Sequence, residues 1–152
     1  MIPGVVGMSD NLYTMQLIKE LKKEFKIVTL LFRGSDCGGV PITSKLLCHP
    51  GSWRDVKEGV EQVGEKYVKD KLTGKKRCRY YVYGCSMGVG MLVLYLIHSP
   101  DTANNLIDAT VLYGTPWDYN QGMTHYNSNY GGWPSYLVAM NVCRLTRAYL
   151  LP

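Results

Sequence analysis

Apolar residues recur along the chain with two alternating periods, one typical of helices and one typical of buried strands. Ser9 and Asp10 resemble helix caps, and an apolar residue then follows every three or four positions. This first stripe consists of Leu12, Met15, Ile18, Leu21 and Phe25. The continuous apolar run 27–32 comes next and is typical of a strand buried on both faces of a parallel sheet. The pattern therefore predicts an amphipathic helix followed by a buried strand.

The same alternation continues in the middle of the chain. Ser52 to Asp55 has the form of a capping box, which predicts the start of a second helix. The apolar stripe of that helix comprises Val56, Val60, Val63 and Tyr67. Residues 79–83 are aromatic and β-branched and predict a strand, and the wholly apolar run 89–97 predicts a helix that is buried on all sides.

The last third of the chain contains one more strand and one more helix. Residues 108–113 predict the strand, residues 119–134 are rich in Asn, Gly and Tyr and predict an irregular segment, and residues 136–150 predict a final helix. Helices and strands thus alternate throughout. Right-handed crossovers place the helices on both faces of the sheet, so the pattern predicts an α/β domain with a mostly parallel sheet.

Composition narrows the class of protein. The 152 residues are 46% hydrophobic, which is enough for one domain with a core. The net charge of +5 is mild and spread along the chain, so we expect no nucleic-acid partner. No apolar run is long enough to cross a membrane, no secretory leader opens the chain, and the five cysteines form no C-x-x-C pair. We therefore expect an intracellular protein with free thiols, and neither a metal nor a cofactor.

One motif carries chemistry, because Gly84-Cys85-Ser86-Met87-Gly88 fits the G-x-S-x-G pattern of a nucleophile elbow. In such an elbow the serine lies on a sharp strand-to-helix turn, and glycines on both sides avoid a collision with the neighbouring strand and helix. The helix that follows points its N-terminus at the site and favours negative charge there. Ser86 is thus the candidate nucleophile, with Gly84 and Gly88 as the elbow glycines. The alternative is a glycine-rich turn in another kind of α/β protein.

A second glycine-rich stretch, residues 3–7, lies directly before the first helix. In hydrolases with a nucleophile elbow, the corresponding loop donates one backbone N–H to the oxyanion hole and the residue after the nucleophile donates the other. By position these donors are Val5 and Met87. Taken without the elbow, the stretch is more typical of an ordinary turn.

Several segments together resemble one family. They are Pro3-Gly4-Val5-Val6-Gly7, Phe32-Arg33-Gly34, Cys48-His49-Pro50-Gly51-Ser52, the Ser86 elbow and Gly114-Thr115-Pro116-Trp117-Asp118. In order and spacing they are similar to the α/β-hydrolase subgroup that includes bacterial YheT-type hydrolases and their eukaryotic relatives. The resemblance implies a serine esterase or lipase that acts on small-molecule acyl esters, including lipid esters. An acyltransferase on the same fold is an alternative.

The resemblance leaves the catalytic acid and base unassigned. In this family they follow the serine, in loops after later strands. Here the residues of these types that follow Ser86 are His98, at the end of a predicted helix, His125 and three aspartates: Asp101, Asp108 and Asp118. We expect His125 to be a surface or cap residue and His49 to have a structural hydrogen-bonding role.

The resemblance also sets an expectation for domain organisation. Residues 1–118 correspond to the central part of the hydrolase core, and residues 119–152 correspond to the start of a cap. A partial hydrolase fold without the first and last strands is therefore expected, with little activity of its own or with a non-catalytic role. The family further implies a cytoplasmic protein, or one held at a membrane only through an N-terminal anchor outside these 152 residues.

Overall fold

Pairs of helices alternate with two strands along the part of the chain that the computed structural model describes, which comprises residues 1–4, 12–31 and 48–150. The elements are α1 (Leu12–Leu21), α2 (Trp53–Val63), β1 (Tyr81–Cys85), α3 (Met87–His98), α4 (Pro100–Leu106), β2 (Ala109–Tyr113), α5 (Tyr119–Ser128) and α6 (Trp133–Leu150). A π-helical turn, Gly64–Val68, continues α2, and a 3-10 turn, Asn129–Gly132, joins α5 to α6. The α/β fold class predicted from the sequence is confirmed.

The two strands pair in parallel, with Tyr81 opposite Ala109 and Cys85 opposite Tyr113. A parallel pair requires a crossover, and here helices α3 and α4 supply it. Asp108 fixes the start of β2, because its carboxylate accepts hydrogen bonds from Tyr80 N at 2.6 Å and from Lys76 Nζ at 2.7 Å. These bonds hold the pKa of Asp108 below its usual value, with the lysine as the largest cause.

The N-terminal segment, residues 1–4, continues the parallel arrangement on the other side of β1. Ile2 forms a parallel bridge with Gly84, in which Ile2 N donates to Tyr83 O at 2.8 Å and Cys85 N donates to Ile2 O at 3.0 Å. The Met1 α-amino group donates to Val28 O at 2.7 Å. Residues 27–31, predicted as a strand, do not form a regular one, although Leu30 N donates to Met1 O at 2.9 Å.

The core lies between one face of β1 and the helices α2, α3 and α4. Within β1 the buried positions are Val82 and Gly84, since alternate residues of a strand point to the same face. The buried cluster consists of Ile2, Val56, Val60, Val82, Met91, Leu92, Tyr95, Ala103 and Leu106. This core supports the carboxyl end of β1, where the candidate motif begins.

In two helices the buried side chains differ from those that the sequence pattern predicts. In α1 the predicted stripe is wrong at its start, since Leu12 and Met15 are exposed and Thr14 is the buried residue. In α3 the prediction of burial on all sides is wrong, because Ile97 is 64% exposed near the end of the helix. Apolar content alone does not fix the number of neighbours that a helix has.

Two further local predictions are corrected by the structure. Ser52 makes no side-chain cap at the start of α2, and its Oγ instead accepts a hydrogen bond from His49 N at 3.1 Å, so the capping box is absent. The segment 119–134, predicted as irregular, is largely helical. Asp118 caps α5, because its carboxylate accepts from Gln121 N at 2.8 Å. Among the described residues, none of the helices combines the length and the apolar character that a membrane crossing requires.

Candidate active site

Ser86 lies in the turn between β1 and α3, and its side chain is exposed. Its backbone has φ 51° and ψ −119°, and it is the only non-glycine residue with a positive φ in the part of the chain that is described. Two hydrogen bonds hold this turn: Ser86 N donates to Tyr113 O, and Val89 N donates to Ser86 O, both at 2.9 Å. A conformation of this kind costs an L-residue about 1–3 kcal/mol, so the surrounding structure must impose it.

The two glycines of the motif lie where side chains do not fit. A Cβ atom at Gly88 would lie 2.6 Å from Ile2 O and would also collide with the carbonyl oxygen of Pro3. A Cβ atom at Gly84 would lie 3.2 Å from Val89 Cα, which is a tighter contact than most real Cβ atoms make. Gly88 therefore lets the first turn of α3 pack against the N-terminal segment, and Gly84 lets α3 fold back onto β1.

The N-terminal segment ends directly beside the serine. A Cβ atom at Gly4 would lie 3.0 Å from Ser86 Cβ and 3.6 Å from Ser86 Oγ. The sequence pattern assigns no individual role to Gly4, although it is the first glycine of the motif at residues 3–7. Val5, the predicted oxyanion donor, lies outside the described residues.

Met87, the second predicted oxyanion donor, is the first residue of α3. No group in the described part of the chain accepts a hydrogen bond from its backbone N–H. The first turn of α3 contains no acidic residue. No acidic side chain of that turn therefore neutralises the partial positive charge at this helix end, and the charge would stabilise an anion beside Ser86.

Two tyrosines near the turn remain neutral. Burial raises the pKa of Tyr83 to about 12, and its neighbour Cys85 adds to the increase. Tyr119 begins α5, and its hydroxyl would collide with a Cβ atom at Gly90, one turn into α3. Burial also raises the pKa of Tyr119. Both phenols thus contribute no charge near neutral pH, and Tyr119 brings the start of α5 close to the serine turn.

The histidines of the chain are engaged elsewhere. His125 is exposed on α5, and its Nδ1 lies 2.8 Å from Asn129 Nδ2. His49 Nδ1 accepts from Gly51 N at 3.0 Å, which is the structural hydrogen bond expected of it. His98 stacks on Trp53 with ring centroids 4.8 Å apart. Among the described residues, no imidazole forms a hydrogen bond with Ser86 Oγ.

The three aspartates that follow Ser86 likewise have local roles. Asp108 organises the start of β2 and Asp118 caps α5, as described above. Asp101 lies in the first turn of α4 and lines a groove with Glu61 and Glu65 of the α2 region. No group of three or more His, Cys, Asp or Glu side chains within the described ranges is arranged to hold a metal ion.

Comparison with known proteins gives one distant relative. No family model matches the chain, and no solved structure matches it. The chain is 23% identical over 149 residues to a protein of Saccharomyces cerevisiae named monoacylglycerol lipase. The similarity covers 97% of this chain but 31% of that protein, so the chain spans about a third of the length of its relative.

Proposed function

We propose that this chain carries the nucleophile of a serine hydrolase that acts on carboxylic esters, including lipid esters. The observation that carries the proposal is the backbone of Ser86, which has a positive φ and an exposed side chain between a parallel strand and the N-terminus of a helix. The yeast relative, which is named a monoacylglycerol lipase, supports the ester and lipid class of substrate.

In the proposed reaction Ser86 Oγ attacks the carbonyl carbon of the ester. A base takes the hydroxyl proton and passes it to the departing alcohol, which leaves an acyl group on Ser86. Water then attacks the acyl group in the same way and releases the acid. The negative charge on the carbonyl oxygen is stabilised by the Met87 N–H and by the N-terminus of α3, and we propose Val5 N–H as the second donor.

The positive φ of Ser86 has a direct use in this chemistry. A positive φ at a strand-to-helix turn lets the serine side chain project out of the sheet, and the first turn of α3, with donors for an oxyanion, follows directly. The glycines at 84 and 88 permit this turn because each lies against backbone atoms. We propose Ser86, Met87, Gly84 and Gly88 as parts of one site for this reason.

The resemblance to YheT-type hydrolases leads to a proposal about domain organisation. We propose that residues 1–118 form the nucleophile-bearing part of the hydrolase core and that residues 119–152 begin a cap. The start of a new helix supports this boundary, because the side chain of Asp118 caps α5 in the segment that follows β2. The partial coverage of the yeast relative supports the view that the complete hydrolase contains further segments.

A non-catalytic role is the second candidate. It is favoured by the contacts of the two histidines that follow Ser86 in the sequence, because His125 forms a hydrogen bond with Asn129 and His98 stacks on Trp53. On this basis we propose that the 152-residue chain alone turns over esters slowly and that an added base restores reactivity at Ser86.

The experiment treats the 152-residue chain with a fluorophosphonate probe, with and without added imidazole, and reads the adduct by intact mass and peptide mapping. We expect weak labelling without imidazole and at least about tenfold more with it, all of it on Ser86, because imidazole replaces the missing general base. Ser86→Ala removes the label. Ser128→Ala is the matched control, since Ser128 is an exposed serine whose hydroxyl bonds to Thr124 O on α5.

Two results would contradict the proposal. One is equal labelling of the Ser86→Ala and Ser128→Ala variants at every imidazole concentration. The other is an adduct that maps to residues outside the serine turn. Folding of both variants is checked by circular dichroism, so that a loss of label is not mistaken for a loss of structure.

A further inference from the structure

The helices α5 and α6 expose a large uncharged surface. Residues 119–143 contain no Asp, Glu, Lys or Arg, although 19% of the whole chain is charged. Helix α5 has no buried residue. Several apolar or aromatic side chains on the two helices are exposed, and five of them, each between 47% and 62% exposed, recur at helical spacing. They are Met123, Tyr126, Trp133, Tyr136 and Met140, and together they are called here the α5–α6 surface.

Helical spacing groups these side chains. Met123 and Tyr126 are three residues apart on α5, and Trp133, Tyr136 and Met140 are three and four apart on α6. Trp133 and Tyr136 form an edge-to-face pair with ring centroids 5.8 Å apart. Each helix thus has a side that presents apolar area to water, and exposed apolar area of this kind marks an interaction site.

We propose that the α5–α6 surface adsorbs to the surface of an anionic lipid membrane. Trp and Tyr have an apolar body and a polar end, and they favour the boundary between lipid headgroups and acyl chains. The absence of charged residues from 119–143 removes the largest desolvation cost of entering that boundary. Arg144 and Arg147 follow directly in the sequence, and the chain carries a net charge of +5, which complements anionic headgroups.

The α5–α6 surface includes a helix that begins near the serine turn, so adsorption to a membrane would have a role in the proposed reaction. Helix α5 begins shortly after the carboxyl end of β2, and the Tyr119 hydroxyl lies against Gly90, one turn beyond Ser86. Adsorption would bring the serine turn close to the lipid surface, where a lipid ester is present at high local concentration. This role rests on the proposed function, whereas adsorption itself does not.

The test is flotation of the 152-residue chain with vesicles of phosphatidylcholine and phosphatidylserine. We expect Met140→Glu to weaken vesicle binding by about tenfold or more, because it places a charge within the α5–α6 surface. Leu72→Glu is the matched control. Leu72 is 96% exposed in the turn that precedes β1, so its variant has the same net charge and is expected to bind as the parent chain does.

A second measurement does not depend on these variants. Vesicles that contain brominated acyl chains are expected to quench the fluorescence of Trp133, and Trp133→Phe is expected to lose most of that quenching. Absence of quenching in the parent chain, or equal binding by Met140→Glu and Leu72→Glu, would overturn the proposal. Analytical ultracentrifugation without lipid would also overturn it if Met140→Glu dissociated a dimer of the parent chain, since the surface would then bind a second copy.

Vesicle binding and fluorophosphonate labelling are measured on the same protein sample, so each of the two proposals is tested separately. Ser86→Ala is expected to bind vesicles as tightly as the parent chain. Vesicle binding without fluorophosphonate labelling would contradict the proposed hydrolase alone, and labelling without vesicle binding would contradict the adsorption alone.

Discussion

At Ser86 a single residue combines an exposed hydroxyl with a backbone conformation that its own Cβ disfavours. The cost is of the order of 1–3 kcal/mol for a non-glycine residue. Hydrogen bonds to Tyr113 O and from Val89 N maintain the turn, so the strain is supported by β2 and α3. The backbone conformation that the proposed chemistry requires at Ser86 therefore lowers the stability of the folded chain.

Replacement of Ser86 by glycine is expected to stabilise the chain by about 1 kcal/mol. Glycine adopts a positive φ without strain, and this gain exceeds its greater conformational entropy in the unfolded state. The measurement is the free energy of unfolding from urea denaturation. Ser86→Ala is the control and is expected to give no such gain, because alanine retains the Cβ atom. Equal stability of the two variants would contradict the strain at this residue.

At the scale of elements, the contact between the first turn of α3 and the N-terminal segment depends on Gly88. Gly88→Ala is expected to destabilise the chain by about 2–3 kcal/mol, because the new methyl group meets the backbone carbonyls of Ile2 and Pro3, which have little room to move. Thermal unfolding followed by circular dichroism measures the effect.

Gly122→Ala is the matched control for that substitution. Gly122 lies within α5 with no atom near its Cβ position, so alanine is expected to raise stability slightly through its higher helix propensity, by up to about 1 kcal/mol. A similar response of both variants would mean that the N-terminal segment does not pack against α3 as described.

The helices and strands also differ in how well local sequence patterns predict them. The strand at β1 and the helix α2 follow from local apolar patterns that the core satisfies, and their positions agree with the prediction to within a few residues. Helix α5 was missed because its side chains pack against few others and provide no apolar period, while Asn and Gly within it favour turns. Asp118 was the available signal, since its carboxylate caps the helix.

At the scale of the whole molecule, the alternation of helix and strand was sufficient to predict the α/β class, because a parallel sheet needs a crossover between its strands. The candidate site was predicted only in part. Ser86 and its glycines follow from a local motif. The proximity of Gly4 to Ser86 depends on how the N-terminal segment pairs with β1, and no local pattern encodes that pairing.

The pairing of the N-terminal segment also links the stability of the whole molecule to pH. The Met1 α-amino group donates to Val28 O, and burial lowers its pKa from 8.0 to about 6. Between these two values the unfolded chain binds more protons than the folded chain, so stability increases with pH. The contribution is fully present above pH 8 and is lost as the pH falls to 6, and the total change approaches about 2–3 kcal/mol.

Acetylation of Met1 provides the control for this pH dependence, because an acetylated amine still donates one hydrogen bond but no longer titrates. Urea denaturation of both forms between pH 5 and 9 measures the effect, and the difference between the two curves isolates the contribution of the Met1 amine. We expect the unmodified chain to lose stability relative to the acetylated chain as the pH falls from 8 to 6. Asp108, whose pKa is lowered, titrates at more acidic pH and leaves this window unaffected. Parallel curves for the two forms would mean that the Met1 amine is not buried against Val28 in solution.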